Sequence, residues 1–212
     1  MAEHGRNESQ RAVLRQQIVE TALNAFISKG IKNITMDEIA TILGISKRTL
    51  YELFEDKEAL LVACILKSQK DWQEKCKTIY EQSNNVLEVI LFVFQHSIEK
   101  YKNTSHLFFE DMRKYPNVLA KLEERDKSTL EGTLLLFNQG VTQGIFRSDI
   151  NFSISSMLIH EQFKILLNLE ITKQYSFIEV FESIMFTYIR GISTVKGAEL
   201  LDEFISKYRR YG

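Results

Sequence analysis

The sequence predicts an all-α protein, and three observations lead to that prediction. The 212 residues include one proline and nine glycines, so few tight turns are available to connect strands. Apolar residues recur at three- and four-residue spacing through most of the chain, which is the period of an amphipathic helix. No stretch alternates as a half-buried strand does, and no low-complexity tract or fixed repeat is present. We expect an N-terminal three-helix head and a larger helical body, with about nine to ten helices in all.

The first helix is predicted from Ser9 to Lys29. Its apolar positions fall on one face, and Gly30 ends the run. The polar residues before it are expected to fray. Arg11 and Arg15 lie one turn apart near its start and can share a face. They are either solvated or in contact with phosphate groups.

Two short helices joined by a tight turn are predicted next. Thr35 can cap the first of them, and Glu38 stands at the reciprocal position of a capping box. Gly44 ends this helix where a left-handed residue is needed, and Ser46 can cap the second helix. The second helix would bury one face, formed by Leu50, Leu53 and Phe54, and leave Lys47, Arg48, Thr49 and Tyr51 outside.

A short helix with a cationic first turn, braced by a preceding helix, is the form that enters the major groove of DNA. Lys47 and Arg48 can donate to guanine O6 and N7, although both could simply keep an exposed helix soluble. Tyr51 could donate to a phosphate or act as a half-buried brace. Thr35 could contact a phosphate, but capping alone would explain it. The predicted DNA contacts are Thr35, Ser46, Lys47, Arg48, Thr49, Tyr51 and Lys57.

A fourth helix is predicted from its cap, Asp56, to Gln82. Lys57 in its first turn adds positive charge to the positive end of the helix dipole, which is unfavourable unless a phosphate lies there. The length of this helix suits a strut between two modules. We therefore expect a helix-turn-helix domain at 1–56 and a helical body at 57–212, linked by the helix at about 57–82.

The body is predicted to consist of further helices. The helix predicted from Val86 to Tyr101 is so densely apolar that it should be buried nearly all round. Pro116 suits the first turn of the helix that begins there. The predicted bounds are Val86–Tyr101, Leu107–Lys114, Pro116–Gln143, Ser153–Ile171, Ser176–Ile192 and Lys196–Arg210.

This arrangement resembles the TetR family of bacterial transcriptional regulators over residues 9 to about 62. The matching residues are Ile18, Ala22, Phe26, Gly30, Thr35, Ile39, Ala40, Gly44, Ser46, Thr49, Leu50, Tyr51, Phe54, Lys57, Glu58 and Leu60. Beyond residue 82, only the helix pattern and the link Gly144–Asp149 are similar. The resemblance implies a DNA-binding head on a ligand-binding and dimerisation body, with operator contacts from Thr35 and residues 47–51 and a phosphate contact from Lys57. Arg48 departs from the family, which often has a small residue there.

A regulator of this kind needs an effector site and a partner subunit. The predicted contacts of a small, largely apolar effector are Phe92, His106, Phe108, Phe109, Met112, Phe137, His160 and Phe163. Aromatic residues at helical spacing are also ordinary core residues, so plain packing is the alternative. The two histidines have no partner cluster, and we predict neither a metal site nor a cofactor. A four-helix homodimer interface is predicted at about Ile154–Leu169 and Phe177–Ile192.

The predicted function is a ligand-responsive DNA-binding regulator, a repressor that binds a near-palindromic operator as a dimer and is released by its effector. The alternatives are an activator or architectural DNA-binding dimer without a ligand, and a helical enzyme. No nucleophile–base set, phosphate loop or metal-ligand spacing supports an enzyme. Residues 1–51 carry seven basic and five acidic side chains in a chain of net charge −1, which predicts modest non-specific DNA affinity.

No apolar run approaches the roughly 20 residues of a membrane span, and the N-terminus lacks a signal-peptide core, so a cytoplasmic protein is expected. Cys64 and Cys76 both fall on the predicted fourth helix. They lie roughly 18 Å apart along it, which is too far for a disulfide. They are expected to be reduced thiols, and a redox-sensor role is the alternative.

Overall fold

The computed structural model describes the backbone of residues 2–112, 114–164 and 174–211, and the side chains of 8–112, 114–121, 132–162 and 174–210. Within these ranges the chain forms ten α-helices, and its only β pairing is an isolated bridge between Phe146 and Ser193. The helices are α1 Ala2–Lys29, α2 Met36–Leu43, α3 Lys47–Leu53, α4 Lys57–Gln82, α5 Val86–Lys102, α6 His106–Met112, α7 Pro116–Thr142, α8 Phe152–Lys164, α9 Phe177–Ile192 and α10 Val195–Tyr211. The predicted all-α fold class is confirmed.

The predicted helix bounds hold to within a few residues, with one correction. α1 begins at Ala2 rather than at Ser9, because the residues before Ser9 include helix formers and no proline. α7 begins at Pro116, as predicted. The helix predicted from Ser153 to Ile171 is α8 up to Lys164, and residues 165–173 lie outside the described part of the chain.

The head belongs to a compact unit made of residues 1–75 and 99–125. Its core is a single cluster of buried apolar side chains, in which Phe26 and Leu50 are completely buried. Phe108 of α6 and Val118 of α7 are buried in the same cluster. The three helices of the head therefore share a core with the short helix α6 and the start of α7.

The turn between α1 and α2 is bound to α6 by specific polar contacts. The carboxylate of Asp111, which is buried, accepts a hydrogen bond from the backbone N–H of Lys32 at 2.7 Å. The N–H of Ser105, just before α6, donates to the carbonyl of Ile27 at 2.8 Å. Gly30 has a φ of +84°, and an added Cβ there would lie 2.7 Å from the Cβ of Leu107. Glycine at this turn thus allows both the left-handed backbone and the close approach of α6.

The second compact unit consists of residues 76–98 and 126–212. Phe137 and Phe152 stack at 5.0 Å in its larger core cluster. A second cluster surrounds Phe94, whose ring is packed by four other aromatic rings from α9 and α10, those of Phe181, Phe186, Phe204 and Tyr208. α5 exposes only polar side chains, as its apolar sequence predicts.

Candidate nucleic-acid interface

The predicted capping box fixes the start of α2. The side chain of Thr35 accepts a hydrogen bond from the N–H of Glu38 at 3.1 Å, and the carboxylate of Glu38 accepts from the N–H of Thr35 at 2.7 Å. The Thr35 hydroxyl also donates to this carboxylate at 2.9 Å. The hydrogen bonds from the Thr35 backbone and side chain lower the pKa of Glu38. The box therefore stays ionised and closed at neutral pH.

The turn from α2 to α3 follows the predicted chemistry. Gly44 adopts the left-handed conformation, with φ 64° and ψ 27°, and its N–H reaches the last carbonyls of α2. Ser46 then caps α3, since its hydroxyl oxygen accepts from the N–H of Thr49 at 3.0 Å. These caps set the direction in which α3 leaves the turn.

α3 buries one side and presents the other to solvent. Leu50 is completely buried, whereas Lys47, Arg48 and Tyr51 are exposed and Thr49 is half-buried. An exposed first turn that carries two cations, on a helix braced by α2, is the geometry that a major groove can accept. We call α3 the recognition helix from here on.

Both cations of the recognition helix are held by carboxylates that the sequence reading did not single out. The ammonium of Lys47 lies 2.5 Å from a carboxylate oxygen of Asp37 on α2. The guanidinium of Arg48 donates to Glu52 at 2.9 Å, which raises the pKa of Arg48. The four-residue spacing of Arg48 and Glu52 could have revealed the second pair. The first pair joins two helices and leaves no periodic signal.

Two arginines of α1 hold the other end of the recognition helix. The guanidinium of Arg11 donates to the backbone carbonyl of Glu52 at 3.1 Å, satisfying one of the last carbonyls of the helix. The guanidinium of Arg15 lies 4.8 Å from the ring centroid of Phe54, the residue that ends α3. These arginines were expected to be either solvated or near phosphate groups, and the structure places both of them against the recognition helix.

Lys57 opens α4, as predicted, and is only half-exposed. Its ammonium lies 5.9 Å from the ring centroid of Phe26, and desolvation lowers the pKa of Lys57. Asp56 caps the helix, since its carboxylate accepts from the N–H of Ala59 at 2.8 Å. The phosphate contact of Lys57 stays a prediction.

Residues 18–64 match the family model of the bacterial regulatory proteins of the tetR family. The helix-turn-helix region of the chain is therefore similar to the DNA-binding region of TetR family regulators. The HTH-type transcriptional repressor KstR2 of Mycolicibacterium smegmatis is 26% identical to it over 159 residues, which cover 72% of this chain and 77% of the relative. An HTH-type transcriptional regulator of Staphylococcus aureus is 35% identical over 92 residues, covering 40% of this chain and 48% of the relative.

Solved structures show the same fold. A TetR family regulator from Cytophaga hutchinsonii superposes with a TM-score of 0.68 at 18% identity, covering 87% of this chain and 97% of that structure. A regulator from Saccharomonospora viridis in complex with choline gives a TM-score of 0.69 at 15% identity, covering 86% and 99%. The match at residues 18–64 and the relatives named as repressors and regulators support a DNA-binding transcriptional regulator, and the proteins that the chain matches are regulators rather than enzymes.

The predicted effector contacts do not all lie together. Phe108, Phe109 and Met112 come close on α6 in the first unit, where Phe109 stacks on Tyr101 at 5.7 Å. Phe92 and Phe137 belong to the second unit, half-buried and buried respectively. Both predicted polar anchors are exposed, namely His106 and His160. The side chain of Phe163 lies outside the described residues.

Two open grooves lie in the second unit, and none of the predicted effector contacts lines either. One of about 390 Å³ is lined by Phe186, Thr187, Arg190 and Gly191. The other, of about 410 Å³, is lined by Asn84, Asn85, Gln143, Ile145, Lys196 and Leu200. Among the described residues, no group of three or more histidine, cysteine, aspartate or glutamate side chains is placed to bind a metal ion. No helix in the described ranges is long and apolar enough to cross a membrane.

Part of the predicted dimer interface is an exposed apolar surface. Ile154, Met157 and Leu158 of α8 are all more than half exposed. Their three- and four-residue spacing puts them on one face of the helix. The rest of the predicted segment, from residue 165 to Leu169, lies outside the described part of the chain.

Proposed function

We propose that this protein is a repressor of the TetR type, which binds a near-palindromic operator as a homodimer and leaves it when a small, largely apolar effector binds. The observation that carries the proposal is the exposed first turn of the recognition helix, held at one end by its cap and at the other by Arg11. A rigid, outward-facing helix can read bases in a major groove at little ordering cost.

The proposed DNA contacts divide into two kinds. Lys47 and Arg48 read base edges, since both are exposed and can donate to guanine O6 and N7. The remaining contacts position the head on phosphate groups, and they come from Thr35, Ser46, Thr49, Tyr51 and Lys57. Both donors of Thr35 are bound to Glu38, so a phosphate contact of Thr35 would open part of the capping box. Ser46 caps α3 through its hydroxyl oxygen, which leaves the hydroxyl proton to be donated to a phosphate.

Repression and an effector are supported by the relatives. The KstR2 proteins are named transcriptional repressors, and one solved neighbour is named a ketosteroid transcriptional regulator. Another neighbour was solved in complex with choline, so a protein of this fold can bind a small molecule. For this chain we propose an apolar effector, whose candidate contacts are either His106, Phe108, Phe109 and Met112 of the first unit or Phe92, Phe137, His160 and Phe163 of the second. Binding to chromosomal DNA would place the protein in the cytoplasm.

The effector signal reaches the head through α4 and α6. α4 begins directly after the head and contributes residues to both compact units. α6 holds the α1–α2 turn through Asp111, whose carboxylate accepts from the N–H of Lys32. A shift of α6 would therefore move the turn that precedes α2. The effector would favour a state in which two heads no longer match two half-sites.

The homodimer is proposed to form through α8 and α9, at about Ile154–Leu169 and Phe177–Ile192. The exposed side chains of Ile154, Met157 and Leu158 support this arrangement, because an apolar stripe on one helix face is stabilised when a second subunit covers it. Two symmetric heads then face two half-sites about one DNA turn apart or a multiple of it.

Footprinting on the DNA upstream of the protein's own gene tests the proposal. We expect protection of two half-sites and its loss when an apolar effector is added. Lys47→Ala should weaken operator binding by about tenfold or more. Lys70→Ala is the matched control, since Lys70 is an exposed lysine of α4 and should leave binding unchanged. Full operator affinity in a folded Lys47→Ala variant would contradict the groove assignment. If transcription from the bound promoter is higher with the protein than without it, the protein is an activator.

A further inference from the structure

The charges on the recognition helix are opposite to those that stabilise a helix. Its first turn carries Lys47 and Arg48, and its last turn carries Glu52, with no acidic residue in the first turn and no basic residue in the last. Cations at the start and an anion at the end both oppose the helix dipole. The Arg48–Glu52 pair also has the less favourable of the two orientations for a four-residue pair. Helix stability therefore does not account for these charges.

Each of these cations is nevertheless neutralised in the DNA-free protein. Lys47 is paired with Asp37 at 2.5 Å and Arg48 with Glu52 at 2.9 Å. Over residues 1–56 the chain has seven basic and eight acidic side chains, so the head as a whole has no excess positive charge. Non-specific DNA affinity depends on cations that are available to phosphate groups. The two carboxylates therefore occupy the cations that would otherwise attract any DNA.

We infer that Asp37 and Glu52 are specificity-determining residues, which keep Lys47 and Arg48 away from the phosphates of unrelated DNA and release them to the base edges of the operator. This inference rests on the proposed function, in which Lys47 and Arg48 read bases. Both ion pairs are exposed, with side-chain exposures of 66% and 51% for Lys47 and Asp37, so they exchange readily with other partners.

The free energy of exchanging a carboxylate for a DNA group differs between unrelated DNA and an operator. On unrelated DNA, a phosphate only takes the place of the carboxylate beside the cation. The displaced carboxylate then stays close to the negatively charged DNA backbone. On an operator, guanine O6 and N7 accept two directed hydrogen bonds from one cationic side chain, which the carboxylate contact does not outweigh. The carboxylates thus reduce both affinities, and they reduce the non-specific one more.

If Asp37 had a purely structural role, its substitution would change the DNA affinity in the opposite direction. Asp37 lies in the first turn of α2, where a negative charge is favourable for the helix. If that were its whole function, Asp37→Asn would loosen the head and weaken binding to every DNA. Under our inference the same substitution strengthens binding to unrelated DNA.

The experiment compares four variants of the full chain on a mixed-sequence DNA duplex, by fluorescence anisotropy over a series of salt concentrations. Asp37→Asn and Glu52→Gln should each raise the affinity for this DNA by about three- to tenfold at low salt. The plot of log affinity against log salt should become steeper by up to about 0.9 per substitution. Circular dichroism checks that each variant is folded.

The controls remove similar charges elsewhere. Asp71→Asn deletes an exposed carboxylate of α4 that is paired with Lys67 at 2.8 Å, and Glu203→Gln deletes one of α10 that is paired with Lys207 at 2.6 Å. Both should leave the affinity within about twofold of wild type and the salt slope unchanged. An equal increase in the controls would assign the effect to net charge and overturn the inference.

Two further outcomes separate this inference from the proposed function. Unchanged or weaker binding by Asp37→Asn, with Lys47→Ala still weakening operator binding, would refute the specificity role and leave the groove assignment intact. Unimpaired operator binding by Lys47→Ala would refute the groove assignment itself. If both assignments hold, Asp37→Asn should also narrow the ratio of operator to non-specific affinity in the footprinting assay.

Discussion

Replacing Asp111 tests whether α6 is firmly bound to the head. In the native protein its buried carboxylate accepts from the N–H of Lys32 at 2.7 Å and from the ammonium of Lys114 at 3.1 Å. Asp111→Ala removes both bonds and leaves the N–H of Lys32 without this acceptor. Among the described residues, this region would keep the backbone bond from Ser105, just before α6, to Ile27 of α1, together with apolar packing.

The expected loss of stability follows from the two bonds. A hydrogen bond to a charged acceptor contributes about 1.5–3 kcal/mol, and the ion pair with the largely exposed Lys114 adds less than about 1 kcal/mol. We expect Asp111→Ala to cost about 2–3 kcal/mol. Asp111→Asn keeps an acceptor for Lys32 but loses the charge, so it should cost roughly half as much. Lys114→Ala is the control and should cost less than about 1 kcal/mol.

The single tryptophan, Trp72, lies in the compact unit that contains these contacts, so its fluorescence during urea unfolding is the appropriate assay. A loss of 2 kcal/mol should lower the urea midpoint by about 1 M. Protein concentration is kept constant because dimerisation shifts the midpoint. A shift no larger than that of Lys114→Ala would refute the idea that the Lys32–Asp111 bond holds the turn.

The same comparison has a defined pH dependence. Burial raises the pKa of Asp111, but the bonds from Lys32 and Lys114 more than offset this and hold the pKa below its ordinary value of 3.8. Because the pKa is lower in the folded state, the carboxylate stabilises the protein fully above pH 3.8 and progressively less as the pH falls through the folded-state pKa. The gap between wild type and Asp111→Ala should therefore shrink in acid. A gap that widens there would contradict this assignment.

Two other predictions concern packing and thiol chemistry. Gly140→Ala should destabilise the protein by about 1–3 kcal/mol in thermal unfolding, because the new Cβ would lie 2.6 Å from Cε2 of Phe146 and 2.9 Å from Cγ2 of Val86; an unchanged melting temperature would show that this contact can relax. Burial raises the pKa of Cys64 to about 12, so alkylation of the native protein at pH 8 should modify the partly exposed Cys76 first, as measured by mass spectrometry. Equal modification rates would contradict the burial of Cys64.

The head could be predicted in detail because its determinants are local. The capping box at Thr35, the left-handed Gly44 and the cap at Ser46 each depend on residues within three or four positions. The contacts that complete the site were not predictable in this way. Arg11 and Glu52 are 41 residues apart, and Lys32 and Asp111 are 79 apart, so only the folded chain brings them together.

The effector contacts stay a prediction, and the reason that the sequence alone does not determine them is physical. Helical spacing identifies the apolar face of a helix but not the helix or ligand that covers it. Phe108 and Phe137 are both aromatic residues at helical spacing in the sequence. Phe108 nevertheless packs with the head, whereas Phe137 stacks on Phe152 in the other unit. An effector that contacts Phe108 or Phe137 must therefore displace the side chains that bury them, whereas the half-buried Phe92 can be contacted with less repacking.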